Sequence, residues 1–122
     1  MVLDSNFNLK VIDFGLACPL SGSEGSGFCD SSERCGTDFY MAPEVWLERR
    51  YQPSSADMFA LGVILFVLRT GFLPFAKATI EDEHYKYICL HQHEPFWRAH
   101  EEHNGARFEP EFKDLISNML AY

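Results

Sequence analysis

Asp13-Phe14-Gly15 places a carboxylate directly after the β-prone stretch Leu9-Lys10-Val11-Ile12, where Gly15 lets the backbone turn sharply. A carboxylate at such a corner suits a hard dication, which takes oxygen ligands and fills its other positions with water or substrate oxygens. A second group of chemically active types follows. Ser31 and Ser32 are hydroxyls at the end of a Gly- and Ser-rich stretch, Glu33 adds a permanent negative charge, and Thr37 follows Gly36 just ahead of Tyr40-Met41-Ala42-Pro43-Glu44. A phosphate on Ser31 or Ser32 would seek an arginine, Glu33 would supply a weaker permanent charge, and a solvated serine linker fits the same residues. Four of the five histidines fall between positions 91 and 103, at H-x-H and H-x-x-H spacings. No closed set of metal ligands accompanies them, so a solvated loop anchored by Phe96 and Trp97 is expected. Cys18, Cys29, Cys35 and Cys89 form no C-x-x-C pair, which favours reduced thiols over zinc or redox chemistry.

These residues need a scaffold, and the chain spells one out. Val2-Leu3 and Leu9-Lys10-Val11-Ile12 read as a hairpin closed by the turn residues Asp4-Ser5-Asn6. Pro43 fits the first turn of a short helix, with Val45, Trp46 and Leu47 as its apolar residues. Ser54 or Ser55 is expected to cap the next helix, with Asp57 in its first turn complementing the dipole. The run 58–68 is apolar all round, the pattern of a helix buried on every side and too short to span a bilayer. Gly71 is its expected C-cap. Thr79-Ile80-Glu81-Asp82 has capping-box spacing for a helix with Tyr85 and Ile88 inward, and Phe112, Leu115, Ile116, Met119 and Leu120 recur with helical periodicity.

The order of Asp13-Phe14-Gly15, Gly36-Thr37 and Ala42-Pro43-Glu44, with Asp57-x-Phe59-x-x-Gly62 and Thr70-Gly71-x-x-Pro74-Phe75 behind them, resembles the second half of a eukaryotic-type protein serine/threonine kinase domain. The style is that of the calcium/calmodulin-dependent and AMP-activated kinase group. The resemblance implies a mainly α fold, a kinase C-lobe in which a short N-terminal β-hairpin (1–12), an activation segment (13–44) and four to five helices (45–122) surround a buried central helix. It implies ATP and magnesium as cofactors of the full domain, with Asp13 as metal ligand, Phe14 as the apolar plug that distinguishes active from inactive states, and Gly15 as the turn. Thr37 would hydrogen-bond the catalytic base from the substrate-docking loop and marks Ser/Thr specificity. Glu44 and Asp57 would be structural, Glu44 pairing with an arginine and Asp57 holding the catalytic loop. Phe59 replaces the family's usual tryptophan and Asp38 the commoner proline. The segment 79–88, from Thr79 to Ile88, lies where the family docks substrates and regulators.

The catalytic base and metal-binding Asn of the family would precede Met1, so this chain is expected to bind no cofactor and to be inactive by itself. Its function is then read as a protein Ser/Thr kinase present in part, with a non-catalytic kinase-like binding or decoy module as the alternative. Composition narrows the partners. A hydrophobic fraction of 47% points to a packed segment, and a net charge of −8 speaks against nucleic acid. Protein substrates, no membrane and a cytoplasmic location are the remaining expectations.

Overall fold

The computed structural model describes residues 1–17, 36–48, 51–105 and 107–121. The chain opens with a two-stranded antiparallel hairpin, β1 (Val2–Leu3) and β2 (Leu9–Lys10), with Val2 opposite Lys10 and Leu3 opposite Leu9. Asp4 sets the turn. Its Oδ1 accepts the backbone N–H groups of Asn6 and Asn8, each at 2.9 Å, and its Oδ2 accepts the Asn8 side-chain amide at 3.2 Å. The ladder stops at Lys10, so Val11 and Ile12 lie outside the strand expected for them.

A 3-10 turn (Asp38–Tyr40) leads into α1 (Pro43–Trp46), which starts on Pro43 as expected. Four further helices follow: α2 (Pro53–Thr70), α3 (Tyr85–Cys89), α4 (His93–Asn104) and α5 (Pro110–Met119). Leu47, expected on the apolar side of α1, is exposed. α2 ends on Gly71 in the left-handed region (φ 80°), whose N–H returns to the Val67 carbonyl at 2.8 Å. Its start differs from expectation. The N-cap is Gln52 and Pro53 is the first helical residue, so Ser54 and Ser55 lie inside the first turn and Asp57 just beyond it. The fixed φ of Pro53 decides this, because proline is tolerated at the first helical position and breaks a helix further in.

Phe59, Gly62, Val63 and Phe66 are buried on α2, one stripe at helical spacing, whereas Met58 and Leu68 are exposed. The helix is therefore not buried on every side among the described residues. At 18 residues it is long and apolar enough, by length and composition, to cross a membrane, contrary to the reading of its apolar run alone. Its buried stripe is that of a core helix. Phe59 meets Phe75 and Tyr85 at 5.9 and 6.0 Å between ring centroids, and Phe66 meets Phe96, Trp97 and Phe108 at 6.1, 6.1 and 6.4 Å. These edge and tilted contacts are the geometry aromatic quadrupoles prefer, each worth about 0.5–1.5 kcal/mol beyond the area buried.

The histidine-rich stretch is the largest correction. It is the helix α4, and Phe96, Trp97 and His100 are its buried face. Phe96 and Trp97 do anchor the stretch. His100 packs on Phe66 and Phe96 at 4.8 and 4.6 Å, and its Nε2 lies 3.0 Å from the Pro74 carbonyl. Helix α5 buries Ile116 and, at its end, Leu120, while Leu115 is half-exposed. Trp97 Nε1 donates to Ser117 Oγ at 3.2 Å and Lys113 pairs with Glu101 at 2.7 Å, joining α5 to α4.

Two outcomes test this packing. A Cβ on Gly62 would stand 2.9 Å from Met119 Cβ, an atom fixed to its own helix backbone. Gly62→Ala is expected to lower stability by about 1–3 kcal/mol in urea melts; an unchanged midpoint would contradict the close crossing. Burial, helped by His84 and His103 nearby, pushes the His100 imidazole from 6.5 down to about 4, with the bond to Pro74 offsetting part of this. Below pH 6.5 the unfolded chain binds a proton that the folded chain refuses, so stability falls as pH drops toward 4 and is flat for this group above 6.5. The loss is at most about 3 kcal/mol. Urea melts across that window should show a smaller loss for His100→Gln; an equal loss would contradict the assignment.

Candidate functional site

Thr37 and Asp57 line one cleft of about 440 Å³, together with Leu16 and Ala17 after the Asp13-Phe14-Gly15 corner and Ala42 before α1. Thr37 is extended (φ −87°, ψ 127°) and exposed. Its carbonyl accepts the Tyr40 N–H at 3.0 Å, while its hydroxyl caps nothing in the turn that follows. Gly36 before it sits at φ 113°, a conformation that side chains rarely adopt, which explains glycine there. Asp57 is exposed on the first half of α2, and its carboxylate forms no hydrogen bond or ion pair among the described residues.

Asp13, Phe14 and Gly15 flank this cleft without lining it. Asp13 has φ 65°, in the left-handed region that non-glycine residues seldom occupy and that aspartate tolerates better than most. Such strain concentrates at functional corners. Its Oδ1 accepts the Gly15 N–H in a long bond of 3.4 Å, leaving Oδ2 without a partner among the described residues. The donor chemistry fits one ligand of a magnesium ion, which is commonly held by one or two carboxylates and substrate phosphates. It makes no protein cage, since no group of three or more His, Cys, Asp or Glu among the described residues could hold a metal. Phe14 is two-thirds exposed, at 68%. Glu44 is half-buried in α1 and forms no ion pair among the described residues. Ser31, Ser32 and Glu33 lie outside the described residues.

The segment 79–88 is organised by a residue that the capping-box reading misplaced. Asp82, and not Thr79, holds the start of its helix, whose N-cap residue is His84. Asp82 Oδ1 accepts the N–H groups of His84 and Tyr85, both at 2.9 Å, and Oδ2 accepts those of Ala76 and Lys77 at 3.0 and 3.1 Å. Burial raises the Asp82 pKa, but the four N–H donors outweigh it and hold the carboxyl below its ordinary value. The sequence signal was an aspartate three residues ahead of Tyr85, the inward residue that opens α3. Lys77 in turn lies over the Trp46 ring at 5.1 Å, tying this loop to α1 and so to the cleft. Tyr85 and Ile88 face inward as expected.

Leu16 and Ala17 after the carboxylate corner, the Gly-Thr turn and the residue before the Pro-started helix share one cleft with the foot of a long apolar helix, and that arrangement defines a class. The chain belongs to the protein kinase family: the model of the protein kinase domain matches residues 1–122. It is 40% identical over 120 residues to CBL-interacting serine/threonine-protein kinase 26 of Arabidopsis thaliana, covering 98% of this chain and 25% of that protein. CBL-interacting protein kinase 30 of Oryza sativa subsp. japonica is 45% identical over 80 residues, covering 66% of this chain and 16% of that one. CBL-interacting serine/threonine-protein kinase 2 of Arabidopsis thaliana is 36% identical over 120 residues, covering 98% and 24%. The chain thus spans about a quarter or less of the length of these relatives, which agree with the kinase group that the sequence resembles.

The Asp82 clamp is open to direct test. Asp82→Ala leaves four backbone donors without their acceptor and is expected to destabilise the chain by about 2–4 kcal/mol. Hydrogen exchange should quicken at Ala76, Lys77, His84 and Tyr85 before it does in α2; protection unchanged at those amides would contradict the clamp.

Proposed function

We propose that the protein is a serine/threonine kinase and that this chain carries the C-lobe side of its active site: hairpin 1–12, activation segment 13–44 and C-lobe helices 45–122. The observation that carries the reading is the shared cleft, in which Thr37, Asp57 and the residues after Asp13-Phe14-Gly15 face one space. Asp13, at the left-handed corner, would hold magnesium, with Gly15 following it, and Phe14, exposed in this chain, would find its packing in the rest of the domain. Thr37 would orient the catalytic base toward a protein Ser or Thr hydroxyl. Asp57 would hold the loop bearing that base, and Glu44 would anchor the end of the segment through an arginine. When bound, ATP with magnesium supplies the phosphoryl group and disperses the charge of its transfer. Ser31 and Ser32 are proposed phosphosites. Protein substrates in the cytoplasm, not nucleic acid or membrane, are the proposed partners, with a regulator docking at 79–88; the names of the relatives make a CBL-type regulator of the whole protein the first to try.

For the 122 residues by themselves we propose binding without turnover, as a docking or decoy module. A phosphotransfer assay with ATP, magnesium and a generic basic protein substrate is expected to give no product with the isolated chain. Product that depends on both cofactors and disappears in Asp13→Ala would overturn the claim.

A further inference from the structure

The loop 72–84 between α2 and α3 is fastened to α4 through one buried imidazole. His100 of α4 is 8% exposed, and its Nε2 lies 3.0 Å from the carbonyl of Pro74, a fully buried residue of the loop. At the end of the loop the His84 ring stands 4.9 Å from the His100 ring. Phe66 of α2 and Phe96 of α4 flank it at 4.8 and 4.6 Å. We propose that His100 is an acid-sensitive latch: taking up a proton releases the loop 72–84 from α4 while α2 and α5 stay packed together. This inference does not rest on the kinase reading.

The latched state has no place for that proton. A carbonyl only accepts, so Nε2 carries the hydrogen of the neutral ring and a second proton goes to Nδ1. Nδ1 makes no hydrogen bond among the described residues, so burial penalises the cation. The groups around it do not offset this cost. His84 from the loop and His103 from α4 both oppose charge on His100, and α2 presents Phe66. Asp82 and Glu83, which share a cleft with His84, lend it no counter-charge. Burial first and the two imidazoles second hold His100 at about 4, against 6.5 for a ring in water. Release is therefore coupled to proton uptake. It gains as pH falls below 6.5 and gains no more below about 4, where the latched ring is protonated too.

The loop gives way before the helices because it contains only turns and bends. Its own clamp is not the trigger. Four N–H donors hold the Asp82 carboxyl below its ordinary value of 3.8, so it stays ionised through this window. The crossing of α2 and α5 at Gly62 meets Met119 and Leu120, neither of which titrates. Once the loop lifts, the amide bonds to Asp82 lie in water, and Lys77 leaves its place over the Trp46 ring of α1. The latch thus links the protonation of α4 to the seating of α1.

Amide hydrogen exchange on the intact chain tests this at about pH 7 and about pH 5, each rate divided by the intrinsic rate of that amide at the same pH. Opening at Ala76, Lys77 and Tyr85 is expected to rise roughly twentyfold at the lower pH, the factor set by 6.5 for the released ring and about 4 for the latched one. Val63 and Ile64 in the middle of α2 should rise far less. His100→Gln, which keeps a neutral donor for Pro74, should abolish the rise. Should that variant not fold, the ring resonances of His100 in the unaltered chain decide, and they should titrate near 4. Loop exchange that is the same at both pH values, an equal rise in α2, a rise that survives His100→Gln, or a His100 ring titrating at its ordinary 6.5 would overturn the proposal.

Discussion

Helix α2 can lie against α5 only because residue 62 carries no side chain. Gly62 brings the helix to where Met119 and Leu120 sit, and a methyl group there would be 2.9 Å from one and 3.1 Å from the other. One turn either side, Phe59 and Phe66 then reach the rings of the loop and of α4. A stripe of four buried residues thereby fixes one long helix against three other elements, and two of the candidate residues, Thr37 and Asp57, are positioned from that helix. Asp57 stands on it, Thr37 faces it across the cleft, and the loop that leaves it at Gly71 returns to Asp82.

Two carboxylates share the work of holding irregular chain. Asp4 closes the hairpin turn and Asp82 closes the loop between α2 and α3, each by accepting backbone N–H groups that no regular element satisfies. Asp13, by contrast, keeps one oxygen uncommitted at a strained corner. The contrast separates scaffold from candidate chemistry: satisfied carboxylates build loops, and an unsatisfied one on a left-handed residue is available to a ligand.

Much of this was legible in the chain. The turn at Asp4, the Pro43 start, the Gly71 stop and the period of α5 follow from local chemistry that tertiary packing did not override. Motif order singles out Asp13, Thr37, Glu44 and Asp57 as candidates, and the fold brings two of them, Thr37 and Asp57, to one cleft. Helix α4 was hidden because histidines and glutamates surround Phe96, Trp97 and His100, although those three sit at i, i+1 and i+4. The cap of α2 falls at Gln52 and not at Ser54 or Ser55, because the fixed backbone of Pro53 outweighs the capping chemistry of the serines. The exposure of Met58 and Leu68 could not be read locally, since an all-apolar helix looks the same whether one face or every face is covered.

As a proposed contributor to a serine/threonine kinase active site, this chain would supply Asp13 and Thr37 as its chemical groups. The most direct measurement joins the chain to the N-terminal portion of its Arabidopsis relative, CBL-interacting serine/threonine-protein kinase 26, and follows ATP-dependent phosphorylation of protein serine and threonine. The expected result is a magnesium-dependent activity that Asp13→Ala abolishes and Thr37→Ala strongly reduces, with folding intact by circular dichroism. A folded chimera without activity, or one whose activity survives Asp13→Ala, would contradict the account.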